Sequence, residues 1–385
     1  MHLPRSATTP RIARIARLVS TLFVVASCAE HEDAVTGLRA RALDQAQVPL
    51  PTLVEEPIQL TVPTYERSGE VVHPDVVEFP NAWNGRKYWF TVTPYPKNDA
   101  LLENPSILMS HDGQELETPA GLSNPIVPHS GGVKDYNSDP ELVYDPASQQ
   151  MLLFYRFVDK KTNTIYVTSS KDGVHWQAEP KVFWVRAHAA VSPTVTPQIG
   201  PTRPTMWYID TGKPGCHAKS SRVMVRYSAN GRLTGGDWTK PVATDLKQPG
   251  YVVWHMKVRY IESKGEYWAL YAAFPEGPVG CDIDDLFFAR STDGVHWQTF
   301  PQPLIRHEDR AWTGAAVYRS TFLYDTDSDQ LRVWFSARGT DAKWRLGLAR
   351  YRYSSLLGTL SDSTATQRAP VNTLPMGMGR SEIEP

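Results

Sequence analysis

Ser170-Lys171-Asp172-Gly173-Val174-His175-Trp176 and Ser291-Thr292-Asp293-Gly294-Val295-His296-Trp297 are two copies of one heptapeptide. Ser110-His111-Asp112-Gly113 and Ser228-Ala229-Asn230-Gly231 are degenerate copies, and a weaker fifth ends at Gly358. Glycines 113, 173, 231, 294 and 358 therefore recur with a period of about 60 residues, the mark of a repeat architecture. In each copy the glycine supplies the positive φ that a tight hairpin demands, and the Asp or Asn caps the turn. These turns read as scaffold and carry no chemistry.

Working outward from each turn, the same grammar returns. An apolar strand runs into a turn, as in Leu142-Val143-Tyr144-Asp145 and Phe322-Leu323-Tyr324-Asp325. An aromatic strand follows, such as Lys87-Tyr88-Trp89-Phe90 or Tyr267-Trp268-Ala269-Leu270-Tyr271, and a third strand leads into the Ser-x-Asp-Gly turn. Four antiparallel strands per unit make a propeller blade, so the expectation is an all-β, five-bladed β-propeller over residues 58–360. The fifth unit lacks an outer strand after Tyr353, whereas Ile58-Gln59-Leu60-Thr61-Val62 is strand-like and lies ahead of the first. Pairing the two closes the ring and removes exposed edges.

Composition agrees. An aromatic content of 11%, with 31 Pro and 25 Gly, suits short strands and many turns. The formal net charge of -1, from 40 basic and 41 acidic side chains, gives no electrostatic footprint for nucleic acid or for an anionic membrane surface. Aromatic faces favour a carbohydrate partner, handled by a monomer.

The N-terminus reads as targeting. Arg5, Arg11, Arg14 and Arg17 precede a short apolar run from Leu18 to Ala26, too brief for a stable membrane span. Val25-Ala26-Ser27-Cys28 then looks like a bacterial lipobox: residues 1–27 would be a signal peptide and Cys28 the lipidated first residue of an exported, membrane-anchored protein facing the periplasm or the exterior. An ordinary secretory signal is the alternative. Residues 28–57 read as a flexible tether and 361–385 as a disordered tail. Cys216 and Cys281 remain, an even pair that suggests one disulfide in an exported protein, against two buried free thiols.

In such a blade the innermost strand begins at one mouth of the central channel, and the loop between the second and third strands overhangs the same mouth. The five inner starts are His73-Pro74-Asp75, Asn137-Ser138-Asp139-Pro140, Val191-Ser192-Pro193, Trp254-His255-Met256 and Tyr318-Arg319-Ser320. The overhanging loops carry Tyr95 with Glu103-Asn104-Pro105, then Arg156, then Asp210 with Cys216, then Cys281 with Asp282, and finally Arg338. Polar, varied residues opening apolar strands mark a site rather than a plain barrel.

His73-Pro74-Asp75-Val76, Trp83-Asn84-Gly85-Arg86-Lys87-Tyr88-Trp89, Thr93-Pro94-Tyr95-Pro96, Asn137-Ser138-Asp139-Pro140 and the Ser-x-Asp-Gly-x-x-Trp turns resemble the five-bladed glycoside hydrolase superfamily near families 43, 32 and 68. The resemblance covers about residues 66 to 358. It implies an inner-strand Asp on blade one as base or nucleophile, an Asp-Pro on blade two that orients substrate, and a Glu on blade three as acid. Asp139-Pro140 matches the second; blade one has His73 with Asp75 two residues on; blade three has Ser192, and no Glu.

Glycoside hydrolysis needs two flanking carboxyl groups. Glu103, Asp139 and Asp75 are accordingly the expected catalytic residues. His73, Tyr95, Asn104, Arg156, Trp254, His255 and Arg319 are the expected substrate-binding residues, the arginines suiting an acidic sugar and Tyr95 and Trp254 suiting ring stacking. Two readings compete with a hydrolase: a glycan-binding protein that has lost catalysis, and a polysaccharide lyase. No redox or nucleotide cofactor is expected, and no His/Cys cluster has metal-ligand spacing, although a structural or channel cation stays open.

Overall fold

The computed structural model describes residues 51–357 apart from 133–134, 160–161, 179–180, 213–214 and 236. The signal peptide, Cys28, the tail and Gly358 lie outside the described residues. Blade one contains β2 (Val71–Trp83), β3 (Arg86–Pro94) and β4 (Ser106–Ser110), after β1 (Leu53–Leu60). Blade two contains β5 (Tyr136–Asp145), β6 (Gln150–Val158), β7 (Thr162–Ser170), β8 (Trp176–Ala178) and β9 (Phe183–Arg186). Blade three contains β10 (Val191–Thr196), β11 (Thr205–Asp210), β12 (Arg222–Tyr227) and β13 (Val242–Ala243). Blade four contains β14 (Tyr251–Ile261), β15 (Glu266–Pro275), β16 (Asp285–Ser291) and β17 (Gln298–Thr299). Blade five contains β18 (Ala316–Asp325), β19 (Gln330–Arg338) and β20 (Trp344–Arg352).

All pairings are antiparallel, and the chain forms a five-bladed β-propeller. β1 lies outermost on blade five, in the order β1-β20-β19-β18, so the ring is closed by an N-terminal strand. That strand begins at Leu53, within the stretch read as tether, because Leu53 and Ile58 find partners in Tyr351 and Leu348. Two blades depart from four strands. Blade one has three, with a bridge between Met109 and Glu117 in place of the fourth, and in blade two β9 also pairs with β7.

The repeated turns hold the blades to each other. Ser110, Ser170 and Ser291 each accept the backbone N–H of the turn glycine three residues on through Oγ. Gly173 at φ +78° packs so tightly on Trp89 of blade one that an added Cβ would sit 2.2 Å from the indole. Trp207 of blade three donates its Nε1–H to Gly294 O at 2.8 Å, and Trp334 of blade five does the same to Gly113 O. The last of these latches the final blade to the first. Separate hydrophobic clusters fill the blade interfaces, for example Trp89, Ile107, Leu142 and Leu153 between blades one and two and Trp268, Phe288, Phe322 and Val333 between blades four and five.

Each of the five inner strands carries a register irregularity at the same height: between Val72 and Asp75, Ser138 and Glu141, Val191 and Thr194, Val253 and His255, and Val317 and Ser320. A bulge re-aims one side chain per strand. His73, Asp139 and Ser192, each followed by proline, take left-handed φ values of 55°, 49° and 52° at these bulges. With the two-residue period of a strand, this sets two tiers in the channel. The upper holds His73, Asp139, Ser192, His255 and Arg319; the lower holds Asp75, Glu141, Thr194, Lys257 and Thr321.

Candidate active site

The lower tier is a sealed charge network. Lys257 Nζ donates to Asp75 Oδ2 at 2.8 Å and to Glu141 Oε1 at 2.7 Å, and Arg319 donates to Glu141 Oε2 at 2.8 Å. Asp75 also accepts from the amides of Val76 and Leu142 and from Thr321 Oγ1 at 2.7 Å. Burial pushes the Asp75 carboxyl up, but Lys257, Arg259 and Arg319 outweigh it and hold it at about 2. Asp75 is fully buried and its lone pairs are committed. The structure thus puts it one tier below the other expected site residues. Arg319 Nη2 also donates to Pro193 O at 3.1 Å.

The upper tier is different in kind. His73 Nδ1 lies 2.9 Å from Glu103 Oε1 and 3.1 Å from Thr93 Oγ1, while its Nε2 lies 3.2 Å from Asp139 Oδ1. His255 Nδ1 is 3.3 Å from the same Asp139 oxygen. Neither of these two approaches has hydrogen-bond geometry. His73 Nε2, Asp139 Oδ1 and both nitrogens of His255 are buried and make no hydrogen bond among the described residues. Asp139 Oδ2, in contrast, pairs with Arg156 Nε at 2.9 Å and accepts the Ser192 amide at 2.9 Å.

The electrostatics follow. Burial works to raise the Asp139 carboxyl, but Arg156, then His255, His73 and Arg319, hold it far below the usual carboxylate range. His255 is pushed well below an ordinary imidazole, by burial first, so it is neutral and keeps a lone pair. His73 Nδ1 hydrogen-bonds Thr93 Oγ1 beside Glu103, and its Nε2 faces Asp139. Buried polar atoms left without partners call for an explanation such as an ion. His73, Asp139 and His255 offer ligand atoms within 4.8 Å of one another. Ligands 2.0–2.1 Å from a tetrahedral ion stand about 3.4 Å apart. The donor set therefore fits a divalent cation, and a carboxylate behind a ligating imidazole, as Glu103 is behind His73, is the usual outer support. Spacing along the chain could not show this set, since its members come from blades one, two and four.

The remaining expectations divide. Glu103 and Asp139 are brought together, but on two edges of one imidazole ring, so His73 fills the space between them. Glu103 further accepts Ser138 Oγ at 2.7 Å. Arg156 is buried against Asp139 and Ser138. Arg156 and Arg319 are thus each paired with a buried carboxylate, while Arg156 Nη1 and Arg319 Nε and Nη1 make no hydrogen bond among the described residues. Asn104 is consumed by Tyr65, Leu101 and Asn137 and serves the loop. Trp254 is buried edge-on to His255 and to Phe274, a wall with no open face for stacking. Tyr95, half-buried beside Trp344, keeps that option. Cys216 and Cys281 form a disulfide with Cα atoms 5.1 Å apart, joining the overhanging loops of blades three and four.

Tyr318 was missed, although it neighbours Arg319 in an inner start. Its ring lies 4.2 Å from that of His255 and 5.4 Å from that of His73. Its oxygen accepts Trp254 Nε1–H at 3.0 Å, which leaves the phenolic proton to donate. Burial, then Tyr95, Glu103 and Asp139, hold the phenol well above its ordinary range, so that proton stays in place. Its place at the opening of an inner strand, one residue before Arg319, was the available signal.

Known proteins similar to this five-bladed propeller include glycan-acting enzymes. The chain is 28% identical, over 366 residues, to the A type blood N-acetyl-alpha-D-galactosamine deacetylase of Flavonifractor plautii, covering 76% of this chain and 46% of that protein. It thus spans about half the length of that relative. The crystal structure of an N-acetylgalactosamine deacetylase from F. plautii in complex with blood group B trisaccharide superposes with a TM-score of 0.72 at 25% identity, over 81% of this chain and 98% of the other. Penicillium chrysogenum alpha-L-arabinanase complexed with arabinobiose shares the fold, at a TM-score of 0.50 and 12% identity over 80% of this chain and 99% of that one. No family model matches the sequence.

Proposed function

We propose that this protein is a metal-dependent amide hydrolase that removes the N-acetyl group from an amino sugar at the mouth of the propeller. The observation that carries the reading is the convergence of His73 Nε2, Asp139 Oδ1 and His255 Nδ1, buried and without hydrogen bonds. The deacetylase relative, similar across most of this chain, supports the same chemistry. When bound, a divalent cation supplies Lewis acidity to the acyl carbonyl and acidifies water. His73 Nε2 and His255 Nδ1 would hold the ion with Asp139, which would contribute the charge, and Glu103 would support His73 from its Nδ1 side. Tyr318 donates its proton toward the acyl oxygen as negative charge develops there. Water oxygen joins the acyl carbon, the C–N bond breaks, and the amine takes up a proton, giving acetate and a free amino sugar.

Glycosidic hydrolysis is the second reading, favoured by Glu103 and Asp139 lying in one buried cluster. It requires both carboxyl groups to reach a scissile bond across the space His73 fills. Purified protein incubated with N-acetylgalactosamine-terminated oligosaccharides separates the two. Acetate without new reducing ends, abolished by a chelator and restored by manganese or zinc, supports deacetylation. New reducing ends without acetate overturn it in favour of the glycosidase. Export with a lipid on Cys28 belongs to the same proposal and is tested by palmitate labelling of the wild type and of Cys28→Ser.

A further inference from the structure

His188 stands between β9 and β10, at the mouth and immediately ahead of the inner strand of blade three. It is half-buried, and its Nδ1 is buried with no hydrogen bond among the described residues. The backbone is bent to bring it there: Ala187, with a Cβ, takes a left-handed φ of 51°. Such strain in a non-glycine residue persists only where the surroundings impose it. Opposite, Gly215 at φ +55° comes so close that a Cβ would sit 3.0 Å from His188 Cδ2. The His188 carbonyl accepts the Thr211 amide at 3.1 Å and Thr211 Oγ1 at 3.2 Å, tying it to the same loop.

Gly215 begins the short turn Gly215–His217 that contains Cys216. The disulfide joins this turn to Gly280–Asp282 of blade four. At that second contact Gly280 lies so near that a Cβ would be 2.7 Å from Cys216 O and from His217 Nδ1. The loop that cradles His188 is therefore clamped to the next blade by a covalent bond and by close backbone packing. Burial first, then Arg156, and against the opposing pull of Asp139, lower the His188 pKa to about 4, so the ring is neutral.

We propose that His188 is a substrate-contacting residue, hydrogen-bonding a hydroxyl of the sugar through Nδ1, and that the Cys216–Cys281 bridge holds it in position. A neutral imidazole next to an already neutralised arginine suits an uncharged hydroxyl, which can either donate to it or accept from it. Leaving the nitrogen without a partner in the free enzyme costs stability, which the substrate hydroxyl restores on binding. The inference rests on the site proposed above, and it concerns recognition rather than the cation.

The test uses His188→Ala, His188→Gln, and the wild type before and after reduction with a phosphine. The probe is an N-acetylgalactosamine-terminated trisaccharide. Acetate release gives kcat and KM, and calorimetric titration gives manganese affinity. His188→Ala is expected to raise KM about tenfold, with kcat within about twofold and manganese affinity unchanged; Gln is expected to recover most of the loss. Reduction is expected to raise KM in the wild type and to add little in His188→Ala. A His188→Ala KM within twofold of wild type overturns the proposal, as does an equal effect of reduction on wild type and variant. If the wild type releases no acetate, the deacetylase reading has failed, and the same comparisons are made on the trisaccharide Kd. There, weaker binding by His188→Ala supports the recognition role, and equal or undetectable binding in both overturns it.

Discussion

His73 stands with one edge 2.9 Å from Glu103 and the other 3.2 Å from Asp139, so a single imidazole separates the two carboxylates first expected to act as a pair. This arrangement makes Glu103 the support of a ligand, and its effect should be felt in metal affinity.

Glu103→Gln should weaken manganese or zinc binding by about 10–100-fold while leaving the fold intact, because the carboxylate 2.9 Å behind His73 Nδ1 is replaced by an amide. Isothermal titration with each metal reads this directly. A variant that binds metal as wild type does, yet is inactive, returns Glu103 to the role of catalytic acid.

Asp139→Asn should abolish both metal binding and acetate release, since it removes the one ionised ligand and leaves Arg156 buried opposite an amide. Metal content after gel filtration and acetate assays check it. Normal metal content in this variant would refute the ligand set.

Lys257→Met should cost about 3–5 kcal/mol of stability, the scale for stranding buried charges by removing one partner, because Asp75 and Glu141 both lose it. Denaturant unfolding measures it. Asp75 is held at about 2 in the folded protein, so its contribution is present above the unfolded carboxylate pKa and is lost as pH falls toward 2. The variant should accordingly show less acid sensitivity above pH 2 than the wild type. Unchanged stability combined with lost activity would move Asp75 back among the catalytic residues.

Asp284 gives the opposite pH dependence. It is fully buried, both its oxygens lack hydrogen bonds among the described residues, and burial with Asp285 and Asp282 raises its pKa well above normal against the pull of Arg338. A raised folded pKa means that the native state holds the proton more tightly than the unfolded chain, so stability falls as pH rises from about 4 toward that pKa. Asp284→Asn should therefore be about 1–3 kcal/mol more stable at neutral pH and equal to wild type near pH 4. Thermal unfolding at several pH values decides it; parallel curves for the two proteins would show that Asp284 is paired.

Gly173→Ala should destabilise more than Gly231→Ala. Both glycines have positive φ, but a Cβ meets Trp89 at 2.2 Å in the first case and nothing within 4 Å in the second. The expected difference is about 1–3 kcal/mol, the scale of overpacking, read from denaturant midpoints. Equal losses would mean that the latch carries no interblade packing.

The ring was legible because its determinants are local and repeated. Ser-x-Asp-Gly needs only four consecutive residues to specify a turn, and three such copies with the Ser228–Gly231 variant, about sixty residues apart, set the blade period. The closing strand was legible from a gap in the same count. Its start at Leu53 was not, because an exposed edge strand is made by its partner, Tyr351 and Leu348, rather than by its own polar sequence.

The site was legible only as far as the position of each residue along its strand. That His73, Asp139 and His255 open inner strands follows from the repeat. That bulges of the same height turn them toward one point, while Asp75 two residues on falls into a separate charge network, is decided by backbone register. The amino-acid order by itself determined a five-fold ring with polar residues around its axis, since turn chemistry and strand period act between near neighbours. Which of those residues stay unpaired and which neutralise each other was decided only by tertiary structure. The 2.8 Å contact between Asp75 and Lys257, 182 positions apart, depends on closure of the whole ring.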